Sequence, residues 1–400
     1  MAKITVPFSV NEPDFISQVQ YAITFASEDI LSYRICEEQC VIECDLREGA
    51  EEEVVVDRIN RLLSRYGSGA FGFKSNVYFE QQIDLPVIDA WSQLLEKRWV
   101  VPVGQGHVIL RGLAASLMDL IDTRVRETFV KEFDAELEVY PSTILSRTLD
   151  KCNHFSSFPE HIDFVAHLRQ DLDVLNTFAR ACRENGWDTA LHDGHMDGSD
   201  LSISPSCCYH CYEGMEGWTM KKPGRCVTAV LNCHRYEGAN HTTLSRLRSF
   251  TMRELVWVGH PKYVTESRAR AEQMIVEWAR DWELSCILET ANDMFFTDDF
   301  SVKASFQRQQ EAKRELRATI PFENQSISIF SSNFHSGTFG KAFNISVDGR
   351  QATSGCIGWG YERWVYAIFS QFGLDLRLWP IKLRAEIEAH LAKGVGDAHS

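Results

Sequence analysis

Three absences bound what this chain can be. No apolar run approaches the roughly 18 residues that a membrane span needs, and the amino terminus "MAKITVPFSVNEPDF" has no charged segment followed by an apolar core. Positive charge is scarce, since 41 Lys and Arg stand against 56 Asp and Glu for a formal net charge of −15. A protein that neutralises nucleic-acid phosphates needs a basic face. We therefore expect a cytoplasmic protein without a membrane partner or an extended nucleic-acid interface.

Internal repeats and low-complexity linkers are also missing from the 400 residues. A hydrophobic content of 44% with 11% aromatic residues is ordinary for a globular protein with a sizeable core, so disorder is not expected as its main state. The twelve cysteines of such an intracellular chain are more plausibly reduced thiols, core residues or metal ligands than disulfides.

The pattern of the first part predicts a small separate unit over residues 1–82. Strand-like "KITVPF", helical "EPDFISQVQYAITFA", a strand pair in "LSYRICEEQCVIECDL" and the amphipathic "EEEVVVDRINRLLSRYG" give the order β-α-β-β-α. The acidic run before the last helix is typical of a solvated helix start.

Residues 83–400 are predicted to form a larger α+β domain. Helices are predicted over 86–97, 113–132, 160–184 and 265–284. Strands dominate beyond residue 200, in 223–238, 248–259, 339–350 and 353–360. Because the strands do not alternate regularly with helices, we expect an antiparallel sheet.

The stretch "CHRYEGANHTTLSRLRSFTMRE" carries charges that a strand pair would bring together. Arg235 and Glu237 lie two residues apart, and Arg246, Phe250 and Glu254 lie four apart, so each set shares one face of a strand. Guanidinium groups bind phosphate oxygens in a fork and a phenylalanine ring can stack on a purine, so this face is suited to ATP. The alternative is a surface hairpin held by cross-strand ion pairs.

A second stretch, "SGCIGWGYERW", supports the nucleotide interpretation. Its glycines allow the backbone to approach a ligand closely. Arg363 stands at the start of a predicted helix, where its charge adds to the positive end of the helix dipole.

Both stretches resemble motifs two and three of the class II aminoacyl-tRNA synthetases. More narrowly, "SPSCCYHCYEG", "CHRYEG", "RSFTMRELVWVG", "SSNFHSGTFGKAF" and "SGCIGWGYERW" resemble, in order and spacing, the amino acid:[carrier protein] ligases. That family is related to the zinc-dependent seryl-tRNA synthetases of methanogens. The resemblance spans roughly residues 140–375 and implies an antiparallel sheet flanked by helices, with motif one only weakly visible in 139–161.

Residue roles follow from this resemblance. Arg235 would contact the α-phosphate and the amino acid carboxylate, Arg246 and Arg363 the outer phosphates, and Phe250 the adenine. The remaining implied residues are Glu254 at ATP, Glu315 as a carboxylate for Mg²⁺, Asn333 and His335 in the substrate pocket, and Cys208, Glu237 and Cys356 as ligands of Zn²⁺. For Asn333 and His335, a core asparagine and a surface histidine are the alternatives.

Two other interpretations of the cysteines stay open. Cys208 and Cys211 form a C-x-x-C, which alone could indicate a structural zinc site or a redox pair. A structural zinc site would require a second pair of closely spaced ligands, and Cys226 and Cys233 are seven residues apart, which is not the usual spacing. Packed free thiols are the third possibility.

The chain departs from the family's pattern near the nucleotide phosphates. Thr251 stands where the family usually has arginine, His234 where it has phenylalanine, and Gly238 where it has proline. The segment "ANHTTLSRLRS" also replaces a more regular loop. ATP affinity or the nature of the activated acid could therefore differ.

The resemblance implies a homodimeric ligase that uses ATP to activate a small amino acid as an aminoacyl adenylate. The acceptor would be the phosphopantetheine thiol of an acyl or peptidyl carrier protein. The alternatives are a seryl-type aminoacyl-tRNA synthetase, an amide ligase that uses the same adenylate and a non-catalytic sensor. A tRNA partner is not expected, because residues 1–80 are short and acidic.

Overall fold

The computed structural model describes residues 2–9, 13–36, 39–67, 75–188, 194–238, 241, 243–291 and 312–396. Strands β1 to β19 are, in chain order, Ala2–Pro7, Ile30–Cys36, Val41–Leu46, Val77–Gln81, Val100–Gly104, His107–Leu110, Glu136–Leu137, Thr143–Leu145, Phe164–Leu168, Met196–Ile203, Thr219–Met220, Gly224–His234, Ser249–Gly259, Cys286–Thr290, Lys313–Ile320, Gln325–Ser336, Ser346–Val347, Arg350–Gln351 and Thr353–Gly360. Helices α1 to α12 are Pro13–Ala22, Glu52–Gly67, Ala90–Glu96, Gly112–Val125, Ser146–Lys151, His154–Ser157, Leu172–Asn185, Cys208–Gly214, Pro261–Asp281, Thr338–Ala342, Tyr361–Phe372 and Ile381–Gly396. Among these residues we find no helix with the length and apolar character that crossing a bilayer takes.

The amino-terminal unit has the predicted order β-α-β-β-α. Its three strands form an antiparallel sheet with β3 in the centre, paired to β1 and β2. Ile42, Cys44 and Leu46 of β3 are buried, as the two-residue period of a half-covered strand requires. Helix α2 places Val55 and Ile59, four residues apart, in the same core.

The second unit is built on an eight-stranded sheet in the order β4-β14-β15-β16-β19-β13-β12-β7. Neighbouring strands are antiparallel, except that β12 and β7 are parallel, so the predicted antiparallel sheet is confirmed. Strand β4 precedes the boundary that we expected at residue 83. The large sheet therefore takes its edge strand from before that boundary.

The two faces of the sheet have different environments. On β19, Ile357 and Trp359 pack in the main core. Cys356 and Gly358, which alternate with them along the strand, line a cavity on the other face. Helices α9 and α11 cover the core face, where Trp278 of α9 and Trp364 of α11 stack with ring centroids 4.6 Å apart. The face opposite these helices is therefore the one available for chemistry.

Two of the predicted elements are wrong. The helix predicted over 160–184 is a short 3-10 turn, Pro159–His161, then strand β9, and only then helix α7, which begins after Asp171. The Asp171 carboxylate accepts hydrogen bonds from the backbone N–H groups of Asp173 and Val174, which fixes the helix start. The stretch 339–350, predicted to be β-rich, contains most of helix α10 and only the two-residue strand β17 with the start of β18.

Candidate active site

A cavity of about 640 Å³ lies on the face of the large sheet opposite helices α9 and α11. That volume lies within the range typical of small-molecule sites. Every residue to which the resemblance gives a role lines it, except Arg246; those that line it are Cys208, Arg235, Glu237, Phe250, Glu254, Glu315, Asn333, His335, Cys356 and Arg363. The sheet therefore gathers residues from positions more than 150 apart in the chain.

Strand register explains why the two central strands face this cavity. Phe250, Met252 and Glu254 alternate along β13 and line the cavity, while Leu255 and Trp257 point into the core. Glu254 stands opposite Gly358 of β19, and a methyl group at Gly358 would touch the Glu254 side chain at 3.4 Å.

Two cysteines and a glutamate from three elements form one buried cluster. The ligand atoms of Cys208 on α8, Glu254 on β13 and Cys356 on β19 all lie within 4.8 Å of one another. The sequence-based assignment of Glu237 to this cluster is wrong. Glu237 lies beyond the end of β12, and its carboxylate instead pairs with the Arg246 guanidinium.

The cluster has the chemistry that a Zn²⁺ ion needs. One carboxylate oxygen of Glu254, Oε2, is buried without a hydrogen-bond partner, and burial raises the pKa of this carboxyl. The contact with Cys356 and burial together raise the pKa of the Cys208 thiol. A cation would relieve both groups, because it stabilises thiolate and carboxylate forms that burial disfavours. Two thiolates and a carboxylate are ordinary zinc ligands, so the residues fit.

The C-x-x-C pattern does not build a separate metal site in the described part of the chain. Cys211 is fully buried in an apolar cluster with Tyr212 and Phe343. Cys207 is buried in another apolar cluster, where its thiol donates to the Ala229 carbonyl at 3.7 Å. Of the pair, only Cys208 reaches the cluster with a carboxylate and a second thiol.

The substrate-pocket candidates lie beside Cys356. The Asn333 amide Nδ2 is 3.5 Å from the Cys356 sulfur, and His335 Nε2 is 3.9 Å from it. His335 is fixed from behind, since its Nδ1 is 3.0 Å from the Tyr212 hydroxyl and its ring packs edge-on against Phe339. Both side chains are therefore placed to orient a ligand bound at the cluster.

Two arginines line the cavity. Arg235 donates from Nε to the Pro205 carbonyl at 3.0 Å, and its guanidinium lies 5.3 Å from the ring centroid of Phe250. Arg363 donates to the Ser245 carbonyl at 2.7 Å. Burial and the neighbouring Arg246 lower the pKa of Arg363 to about 10, which still leaves it charged at neutral pH.

Arg246 occupies a different position from the one predicted. Strand β13 begins only at Ser249, so Arg246 does not share the strand face of Phe250 and Glu254. It pairs with Glu237 at the cavity edge. Burial alone would raise the pKa of Glu237, but Arg246, His161 and Arg363 together outweigh burial and lower the pKa to about 2.

Glu315 enters the cavity from β15 between two cations. Its carboxylate lies 3.0 Å from Lys313 Nζ and 3.5 Å from the Arg317 guanidinium. These ion pairs hold an anionic oxygen donor at the site. Its assignment to Mg²⁺ remains a prediction.

Sequence reasoning missed two parts of the wall. Glu362 lines the cavity and accepts the Thr251 backbone N–H with both carboxylate oxygens at 2.9 Å. Helix α6 and the turn after it contribute His154, Phe158 and His161. The available signal was the aromatic and histidine content of "NHFSSFPEH", although no spacing rule connects that segment to a sheet face.

The arrangement can hold a polyanion with an aromatic base beside a metal-bound group. Arg235 and Arg363 supply fixed positive charge, Phe250 supplies an aromatic face, and the thiol and carboxylate cluster lies in the same cavity. Such preorganised charge suits a reaction at phosphorus.

Comparisons with known proteins point to the same chemistry, although no model of a protein family matches the chain. Over 269 residues the chain is 31% identical to amino acid--[acyl-carrier-protein] ligase 1 of Bradyrhizobium diazoefficiens, covering 66% of this chain and 80% of that ligase. It is 22% identical to a type-2 serine--tRNA ligase of Methanocaldococcus jannaschii over 299 residues, which are 71% of this chain and 56% of that enzyme. The crystal structure of A. aeolicus tRNASec in complex with M. kandleri SerRS matches with a TM-score of 0.69 at 19% identity, covering 97% of this chain and 77% of that chain. The likeness confirms the predicted fold class.

Proposed function

Because this chain belongs to the amino acid–[acyl-carrier-protein] ligase family, as its motifs indicate, we propose that it activates a small amino acid with ATP and transfers it to the phosphopantetheine thiol of a carrier protein. The observation that carries the proposal is the shared cavity: the cluster of Cys208, Glu254 and Cys356 opens into the same space as Arg235 and Phe250. An amino acid and a nucleotide could therefore bind side by side.

In the first step the amino acid carboxylate attacks the α-phosphorus of ATP, and pyrophosphate leaves. Arg235 would neutralise the α-phosphate and the carboxylate, and Arg363 the outer phosphates. Phe250, whose ring Arg235 contacts, would offer its other face to adenine. Catalysis would come from alignment and from charges fixed before the reaction, not from a protein nucleophile.

The metal ion would act in recognition. Zn²⁺ held by Cys208, Glu254 and Cys356 would keep a fourth position for the amino group of the substrate, as in the related synthetases. Asn333 and His335 next to Cys356 would then face the amino acid side chain. Glu315 would hold Mg²⁺ at the phosphates.

In the second step the carrier thiol attacks the acyl carbon of the adenylate, a thioester forms, and AMP leaves. The thiol proton can pass to the departing phosphate, so no covalent enzyme intermediate is required. We also propose that the enzyme is a cytoplasmic homodimer. Strand β7 is an edge strand of the large sheet. Leu137 in this strand is 69% exposed and Val139 just after it is 88% exposed, so a partner subunit could bury apolar surface here.

The second candidate is aminoacylation of tRNA. The similarity to the type-2 serine--tRNA ligases favours it. However, the chain covers only 56% of that relative's length, and the acidic segments of residues 1–80 are poorly suited to tRNA phosphates.

The proposed first step is tested by exchange of labelled pyrophosphate into ATP across the common amino acids, with zinc measured on the same sample. We expect exchange with a small amino acid and about one zinc per chain. The matched control is Arg235→Ala, which should abolish exchange while the zinc content stays unchanged. Exchange that needs no amino acid, or none with any of them, would contradict the proposal.

A further inference from the structure

The amino-terminal unit reaches the edge of the candidate active site through one aromatic side chain. Tyr21, the penultimate residue of helix α1, is 7% exposed. Its ring centroid lies 4.6 Å from the Arg246 guanidinium, and its hydroxyl is 3.1 Å from Nε2 of His161. His161 lines the cavity, and Arg246 pairs with Glu237, which also lines it. Tyr21 thus touches two residues that border or adjoin the site.

A second contact lies next to the first and explains a departure in the sequence. Gly238, at the position where the resemblance has proline, adopts φ +62°, and a Cβ there would lie 2.6 Å from the Thr24 hydroxyl. Proline is locked near φ −65° and could not take this conformation. The glycine is therefore suited to the close approach of the amino-terminal unit, directly after Glu237.

The geometry of the Tyr21 contact leaves Arg246 able to bind a ligand. A guanidinium interacts with an aromatic ring through its flat face, whereas its N–H donors lie along its edge. The central carbon of the Arg246 guanidinium lies 4.6 Å from the centroid of the Tyr21 ring, and one edge donor, Nη1, goes to Glu237. An incoming phosphate could take edge donors while the ring contact remains.

We propose that the amino-terminal unit is part of the nucleotide site and that Tyr21 is a positioning residue, which holds the Arg246 guanidinium where it can meet the outer phosphates of ATP. This inference rests on the proposed function, because it assumes that ATP is the ligand. The outer phosphates leave together as pyrophosphate, but the γ-phosphate is remote from the bond that breaks, so contacts to it are present in the ground state and in the transition state alike. Loss of Tyr21 should therefore change the KM for ATP rather than kcat.

The test is steady-state pyrophosphate exchange by the full chain with three variants. Tyr21→Leu should raise the KM for ATP about tenfold with kcat within about twofold, in line with a desolvated cation–π contact. Tyr21→Phe keeps the ring and should stay within about threefold of the wild type. Ile42→Ala is the matched control, because it creates a cavity in the core of the same unit away from Arg246 and should leave the KM unchanged.

A double variant separates positioning from a general structural effect. If Tyr21 acts through Arg246, adding Tyr21→Leu to Arg246→Ala should produce no further rise in KM. An unchanged KM in Tyr21→Leu, an equal rise in Ile42→Ala or full additivity with Arg246→Ala would each overturn the inference. These results leave the proposed function intact, provided that the wild type exchanges pyrophosphate.

If the wild type shows no exchange, the proposed function fails first. The same variants are then titrated with ATP by calorimetry. An affinity loss of about tenfold in Tyr21→Leu, absent in Ile42→Ala, would support the positioning role without catalysis. Equal affinities, or no binding of ATP by the wild type, would overturn it.

Discussion

Replacing Glu254 should remove the metal, whereas replacing Glu237 should not. Glu254 is 4% exposed, and its Oε2 has no hydrogen-bond partner, so a bound cation would stabilise the buried charge of this carboxylate. Mutation of a residue that hydrogen-bonds to a zinc ligand typically lowers the affinity for zinc about 10- to 100-fold. The loss of a ligand itself in Glu254→Gln should therefore lower it at least about 100-fold. Glu237→Gln should retain the metal and instead raise the KM for ATP, because it disturbs Arg246.

The assay is zinc content after dialysis against a buffered free-zinc series, read by mass spectrometry. A thermal unfolding measurement gives a second, independent readout. With chelator present, Glu254→Gln should unfold at the same temperature as the wild type or above it, because burial raises the pKa of Glu254 and the amide avoids that cost. With zinc present the order should reverse. Zinc retained by Glu254→Gln and lost from Glu237→Gln would refute the assignment.

Three further predictions concern the framework of the site. Burial raises the pKa of Glu160 to about 7 from the ordinary 4.5, so the wild type loses stability as the pH rises through that window. Glu160→Gln lacks this titration, so denaturant titration should show its unfolding free energy rising by about 3 kcal/mol relative to that of the wild type between pH 4 and pH 8. The buried Arg253 pairs with Asp122 at 2.7 Å, and Asp122→Asn should lower the unfolding free energy by about 3 kcal/mol because it leaves the charge of Arg253 without a charged partner. A second change, Arg253→Met, should restore part of that loss. Gly340→Ala, whose new Cβ would lie 2.1 Å from a backbone oxygen, should lower the melting temperature strongly, while Gly214→Ala, with open space around it, should raise it slightly.

The comparison of Glu237 with Glu254 shows what sequence reasoning could and could not reach. Both glutamates stood in the right motif, and the two-residue period correctly brought Phe250 and Glu254 to one face. The choice between them depended on where β12 ends and on the offset between β13 and β19. Both depend on tertiary pairing, and the pairing of Glu254 with Gly358 joins strands more than a hundred residues apart in the chain.

The sequence predicted correctly those elements whose own residues carry a clear periodic pattern. The unit β-α-β-β-α and the strand 353–360 were predicted from their periodicity and from the turn and capping residues that flank them. The stretch 160–184 failed because "DFVAHL" carries no strong local signal, and its pairing with β10 decided its conformation. The contact of Tyr21 with Arg246 joins two units across more than 200 residues, and no pattern in either segment encodes it.

We expect this chain to make an aminoacyl thioester on a carrier protein. The most direct measurement incubates the enzyme, ATP, Mg²⁺ and a labelled small amino acid with a carrier in its phosphopantetheinylated form, the same carrier without that arm, and tRNA, and follows the label on each. We expect label on the phosphopantetheinylated carrier alone, released by hydroxylamine as a thioester would be. Label on tRNA, or equal label on the carrier lacking the arm, would contradict it.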